Sequence, residues 1–292
     1  MTVSSRRAET GWLTITFDDG FVETFNRVRP LLKEYEIPST FNVIAGLLGS
    51  HFKEIPIVSV QDLLAERSEE IEIGSHGYYH LRPSVSIRSS DYSILEKMEF
   101  MVRKAADLRI VQPKLAYLRE GLSELLLRSP ETAVVDIRDM LSEAYESKRL
   151  LDHTLNQDTV TFAYPGGKVL KRLSRMLKPV GYLCARTAFR GYNSTDNRGD
   201  LYSLKSMIWM DGLRAKHANL WVDNAVSSSS WLIETLHLVS DSDSKWHNSY
   251  RLFHTDVKEF EEHLRYVREL VDKGALVCGT QGQFASLIGC GC

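Results

Sequence analysis

Eight short apolar and β-branched runs recur along the chain, each followed by a helical pattern: Leu13–Phe17, Ser39–Ile44, Ile71–Ser75, Thr159–Tyr164, Tyr182–Arg186, Leu204–Trp209, Trp231–Val239 and Leu276–Gly279. Several are almost continuously apolar, as strands buried on both faces are. The clearest helix runs from Asp256 to Lys273, with Val257, Phe260, Leu264, Val267 and Leu270 on one stripe and Gly274 as its stop. That stripe places His263 on the polar side of the helix. Strands alternating with helices predict an α/β fold built on a parallel sheet, either doubly wound or closed into a barrel. A chain of 292 residues can bury a full core, and no linker or repeat divides it, so one domain over 1–292 is expected.

One interval breaks the alternation. From Pro83 to Gln157 no convincing strand is found, while Leu95, Met98, Met101 and Val102, then Leu115, Leu118, Leu122 and Leu125, recur at helical spacing. The part over about 83–130 reads as a helical insertion that packs through those stripes and offers a lid or an oligomer contact.

The charge balance excludes little but favours no polyanion: a formal net charge of −2 gives no reason to expect nucleic acid or an anionic membrane as partner. No stretch reaches the roughly 18 apolar residues of a membrane span. The first apolar run is too short for a signal-peptide core, and the expected location is cytoplasmic. Cys184, Cys278, Cys290 and Cys292 read as free thiols in a reducing compartment; Cys290-Gly291-Cys292 as a soft-metal chelate is the alternative.

Chemistry-bearing residues collect at the carboxyl ends of the expected strands. Asp18 and Asp19 precede Gly20 where the first run ends. Alternation along a strand sends neighbours to opposite faces, but a turn at the strand end lets both carboxylates face the mouth of the sheet. The same Asp-Asp-Gly also suits a turn or a helix cap. His76 and His80 follow the third run. In extended chain their rings would lie roughly 13 Å apart, whereas in a helical turn they share one face and can reach one ion at about 2.1 Å. Phe162-Ala163-Tyr164-Pro165-Gly166-Gly167 ends another run, with backbone amides free for an oxyanion or simply forming a turn. His237 falls within a late strand, where a lone histidine is as a rule a hydrogen-bonded structural residue.

In this order the elements resemble the NodB-homology family of polysaccharide deacetylases, the carbohydrate esterase 4 group. Its first motif, T-F-D-D-G, stands at 16–20, and its second, S-H-x-x-x-H, at 75–80. Its third normally reads R-x-x-Y-P; here it is Thr161-Phe162-Ala163-Tyr164-Pro165, like the F-A-Y-P branch. The family's late strand histidine falls on His237. The resemblance covers about residues 11–82 and 130–285.

The resemblance implies a distorted (β/α) barrel of about seven strands and one divalent metal, zinc first with cobalt or nickel as alternatives, on Asp19, His76 and His80. It implies Asp18 as general base for the attacking water, the Tyr164 N–H as oxyanion donor and His237 as general acid. Thr161 occupies the place of the arginine that orients the base, so Arg186, at the end of the next strand, is either its substitute or an ordinary strand-end residue. The implied activity is removal of an N-acetyl or N-formyl group from an amino sugar or sugar conjugate, such as a sugar nucleotide, a lipid-linked sugar or an antibiotic precursor. An O-acetyl esterase, a non-sugar amidase and an inactive carbohydrate-binding relative are the alternatives. A sugar site should carry aromatic walls, for which Tyr78, Tyr79, Trp209, Trp221, Trp231 and Trp246 are candidates. His217, His247, His254 and His263 are rival acids.

Overall fold

The computed structural model describes residues 10–66, 68–81, 137–167, 169 and 171–290. The insertion expected over 83–130 therefore lies outside the described residues, as do its Leu and Met stripes. Twelve strands are found among the described residues: β1 (Gly11–Asp19), β2 (Ser39–Val43), β3 (His51–Phe52), β4 (Ile55–Pro56), β5 (Ile71–Ser75), β6 (Thr161–Ala163), β7 (Cys184–Arg186), β8 (Met207–Ile208), β9 (Trp231–Leu236), β10 (Leu238–Ser240), β11 (His254–Asp256) and β12 (Leu276–Cys278). The main sheet is parallel, in the order β7-β6-β5-β2-β1-β9-β8.

β1 is its centre. One edge pairs with β9 from Trp12 to Phe17. The other is shared: β12 takes Gly11–Leu13 and β2 takes Ile15–Asp19. The sheet curls into a half-barrel, and the chain between β7 and β9 links its two edges. Leu204 exchanges hydrogen bonds with Ala185 and Thr187, while Met207 and Ile208 pair with Glu234 and Thr235 of β9.

The core follows from the apolar runs. Phe17 of β1 stacks on Phe41 of β2 at 4.7 Å, and Phe25 and Phe260 meet this pair edge-on from the helices Val22–Glu34 and Val257–Asp272. Stacked and edge-to-face contacts at these distances add about 1 kcal/mol each to the burial itself. In the last of these helices His263 is a correction to the stripe read from sequence. It is fully buried, with Nε2 at 3.1 Å from Glu234 Oε2 and Nδ1 at 2.7 Å from the side-chain oxygen of Asn219. Trp209 donates to the same Glu234 oxygen, so a buried polar knot replaces the solvated face that alternation suggested. Trp209, Trp231 and Tyr79 are buried in the core and are not free walls for a sugar. Cys184 and Cys278 are free thiols within the fold, and Cys290 is a free thiol at the surface. Among the described residues no helix is long and apolar enough to cross a membrane.

Gly74 of β5 stands between β2 and β6, and a Cβ there would come within 2.4 Å of both Asn42 Oδ1 and Thr161 Oγ1. Gly74→Ala should therefore cost about 1–3 kcal/mol through overpacking. Urea unfolding should show a lower midpoint at an unchanged m-value, and an unchanged midpoint would mean the two side chains yield freely.

Candidate functional site

The site is built on the carboxyl end of β1. Asp19 has a φ of +72° and Gly20 a φ of +83°, so the chain leaves the strand through two left-handed residues. This turn defeats alternation and brings both carboxylates to one side. Asp18 Oδ2 lies 3.9 Å and Asp19 Oδ1 3.6 Å from the same His76 Nε2. All four of Asp18, Asp19, His76 and His80 are buried.

The two histidines are not on a helical turn. They lie in a loop after β5 that doubles back through Gly77 at φ +81° and His80 at φ +62°. Two left-handed residues do what a helix would have done, and the ring centroids come to 4.7 Å. His76 Nδ1 is 2.9 Å from the carbonyl of Ala163 in β6. A carbonyl only accepts, so Nδ1 carries the proton and Nε2 keeps its lone pair for a ligand. His80 Nε2 lies 3.9 Å from Asp19 Oδ1.

Glu143, on the helix Ile137–Leu155, holds this loop, accepting the N–H groups of Tyr79 and Leu81. Its burial pushes the carboxyl up to about 7 against those bonds, which lower it. The helix's buried positions include Met140, Ala144 and Leu151, and Glu143 lies among them. A lone acidic residue on such a stripe was the available signal for it, and sequence reasoning missed it.

Asp18 has a different set of partners. Arg186 Nη2, from the end of β7, donates to Oδ1 at 2.6 Å and Oδ2 at 2.5 Å, and Asn42 Nδ2 of β2 donates to Oδ1 at 3.0 Å. Burial by itself would raise the Asp18 pKa, but the charges of Arg186, His76 and His237 together with the Arg186 hydrogen bonds hold it well below the usual carboxylate range. Thr161 lies buried in β6, and the guanidinium beside Asp18 comes from the neighbouring strand. Asn42 was missed by the sequence reading; β-strand polarity one position before an apolar end was its only mark.

His237 does not lie within a strand. It falls in the break between β9 and β10, where its carbonyl accepts from Thr24 Oγ1 and its Nε2 sits 3.9 Å from Asp18 Oδ2. Its ring rests against Phe253 at 4.8 Å. Burial lowers its pKa against the pull of Asp19 and Asp18. Tyr164 departs from expectation. Its N–H donates to the carbonyl of Arg186 at 3.0 Å, and its hydroxyl donates to the carbonyl of Tyr202. The amide that the resemblance offers to an oxyanion is thus engaged in the β6–β7 ladder. Of the rival acids, His217 is exposed and accepts from the Arg214 N–H, and His263 is buried beside Glu234 and Asn219.

A cation fits this constellation. Asp19, His76 and His80 offer ligand atoms within 4.8 Å of one another, all on buried side chains. Asp19 Oδ2 accepts from Tyr250 at 2.8 Å, but Asp19 Oδ1 is buried without any hydrogen-bond partner. A buried carboxylate oxygen left bare is costly, several kcal/mol if nothing compensates it. The donor set, two imidazoles and a carboxylate, is one that zinc takes with positions left open.

The polysaccharide deacetylase family model matches residues 6–120. No curated protein matches the sequence. Among solved structures, a candidate polysaccharide deacetylase from Mycobacterium smegmatis has the same fold, with a TM-score of 0.54 at 13% identity over 99% of this chain and 93% of that one. The deacetylase PplD of Streptococcus pyogenes, solved with acetate, gives 0.41 at 22% identity, covering 65% of this chain and 61% of its own. IcaB from Ammonifex degensii gives 0.39 at 20% identity, covering 60% and 58%. The chain thus spans about three fifths of the length of these last two.

Glu143→Ala should leave the Tyr79 and Leu81 N–H groups without an acceptor and cost about 3 kcal/mol, while Glu143→Gln keeps an acceptor and costs about 1 kcal/mol. Guanidinium unfolding of the two variants checks this, and equal losses would remove Glu143 as the anchor of the histidine loop. Residues 6–120 thus match the polysaccharide deacetylase family model, and the curled parallel sheet is the fold of the Mycobacterium smegmatis structure.

Proposed function

We propose that the protein is a divalent-metal-dependent amide hydrolase that removes an N-acetyl, or N-formyl, group from an amino sugar or a sugar-containing intermediate. One observation carries the reading: a buried, unpartnered Asp19 oxygen faces two imidazoles, beside a second carboxylate held by an arginine. Asp19, His76 and His80 would hold the ion, zinc by the nature of the donors. When bound there, such an ion supplies a Lewis acid that polarises the acyl carbonyl and acidifies water.

The remaining work falls to the protein. Asp18 is ionised at any working pH, because Arg186 and Asn42 hold its charged form. It is therefore always able to accept a proton from water, though a depressed pKa makes it a weak base. Arg186 fixes its rotamer by bonding both oxygens from one nitrogen. His237, whose Nε2 lies 3.9 Å from Asp18 Oδ2, is the group to protonate the leaving amine, which departs poorly without a proton. Phe253 limits the motion of its ring.

Two measurements test this on the purified protein: metal content and acetate release from N-acetylated amino sugars. Asp19→Ala should bind no metal at the site. Asp18→Asn should keep the metal and lose about 100-fold or more in kcat. If Asp18→Asn turns over at the wild-type rate, the assignment of the base is wrong; if zinc, cobalt and nickel all fail to bind, the hydrolase reading falls. Arg186→Ala should reduce kcat more than it changes KM, since it acts on the substrate only through Asp18.

A further inference from the structure

A second group of metal-type donors stands apart from the one above and is used by nothing in the proposed chemistry. Asp211, His247 and His254 present ligand atoms within 4.8 Å of one another. Asp211 follows β8, while the two histidines bracket a single short turn, the 3-10 segment Asn248–Phe253. Their rings approach to a centroid distance of 4.3 Å, tilted by 53°. The two rings thus lie close enough for one cation to take a nitrogen from each. His254 Nε2 lies 3.0 Å from Ser240 Oγ, which holds the ring in place. Asp211 Oδ2 lies 3.3 Å from Arg251 Nε, an exposed pair that leaves the other carboxylate oxygen to a cation.

We propose that Asp211, His247 and His254 form a second site for a zinc-class divalent ion, one that clips both ends of the Asn248–Phe253 turn to the loop after β8. The backbone already joins these elements once, through the Asp211 N–H to the Leu252 carbonyl. The turn so held carries two residues of the candidate catalytic site. Tyr250 donates to Asp19, and Phe253 packs on His237. An ion with one carboxylate, two imidazoles and open positions for water would thus fix the wall of the first site without touching its reactants. Asp211 is exposed and His247 half-exposed, so the ion has a path in from solvent.

Zinc content decides the matter. The full chain is loaded with zinc sulfate, freed of excess by gel filtration and measured by plasma mass spectrometry, alongside His247→Ala, Asp211→Asn and His76→Ala/His80→Ala. Two zinc ions per wild-type chain, falling to one in His247→Ala and in Asp211→Asn, is the expected result. Circular dichroism of Asp211→Asn, a surface change, guards against loss through misfolding. Zinc content unchanged from wild type in both His247→Ala and Asp211→Asn overturns the proposal. The hydrolase reading fails separately: zinc retained by His76→Ala/His80→Ala at the wild-type level, with zinc lost from both His247→Ala and Asp211→Asn, would remove the first site and leave the second standing alone.

Discussion

Two adjacent carboxylates buried at the end of the central strand are the demand that the rest of the structure answers. Like charges in a low-dielectric interior repel strongly, and each unpaired one costs several kcal/mol. The fold meets this unevenly. Asp18 receives a guanidinium and an amide, both from strands of the same sheet. Asp19 receives one phenol and is left with a bare oxygen facing two imidazoles. That asymmetry separates a carboxylate satisfied by protein from one left with an unsatisfied oxygen, and the proposed division of chemistry between these neighbours in sequence rests on it. Strand order makes the arrangement possible. Asn42 comes from β2, the histidine loop leaves β5, the carbonyl that orients His76 belongs to β6, and Arg186 ends β7. All are parallel, so their carboxyl ends open on one side.

Much of the sheet was legible because its strands are buried on both faces and read as continuous apolar runs. Ile71–Ser75 is found with the bounds read from sequence, and the helix Val257–Asp272 agrees to within a residue at either end. Where periodicity misled, tertiary partners were the cause. His263 sits on the face that spacing assigned to solvent, because Glu234 and Asn219 wait for it in the interior. His237 interrupts a run that is apolar on both sides of it, and a single polar residue in such a run gives no sign that the strand breaks there. The histidine pair illustrates a different limit. Spacing of four argued for a helical turn, but left-handed residues at Gly77 and His80 close the same distance in an irregular loop. Only the Gly in that loop announces itself in sequence. Tyr250 left no mark, and Asn42 and Glu143 only faint ones, for a plainer reason: each reaches the site from an element whose position relative to β1 no local pattern specifies.

The arginine beside Asp18 comes from a different strand than the one on which the resemblance would place it. A guanidinium at position 161 would start β6, and threonine stands there instead. The ladder places Thr161 opposite Cys184 and Ala163 opposite Arg186, so the arginine enters one strand over and two residues nearer the carboxyl end. Its side chain reaches Asp18 of β1 while buried, bonding both carboxylate oxygens through one nitrogen. The same backbone carbonyl of Arg186 takes the Tyr164 N–H. One residue therefore fixes the rotamer of Asp18 and ties down the amide that the third motif would otherwise leave free. An oxyanion formed here would have to draw that amide out of the β6–β7 ladder or find its stabilisation in the cation alone. That choice, rather than the presence or absence of the motif-three arginine, sets the electrostatics of the site.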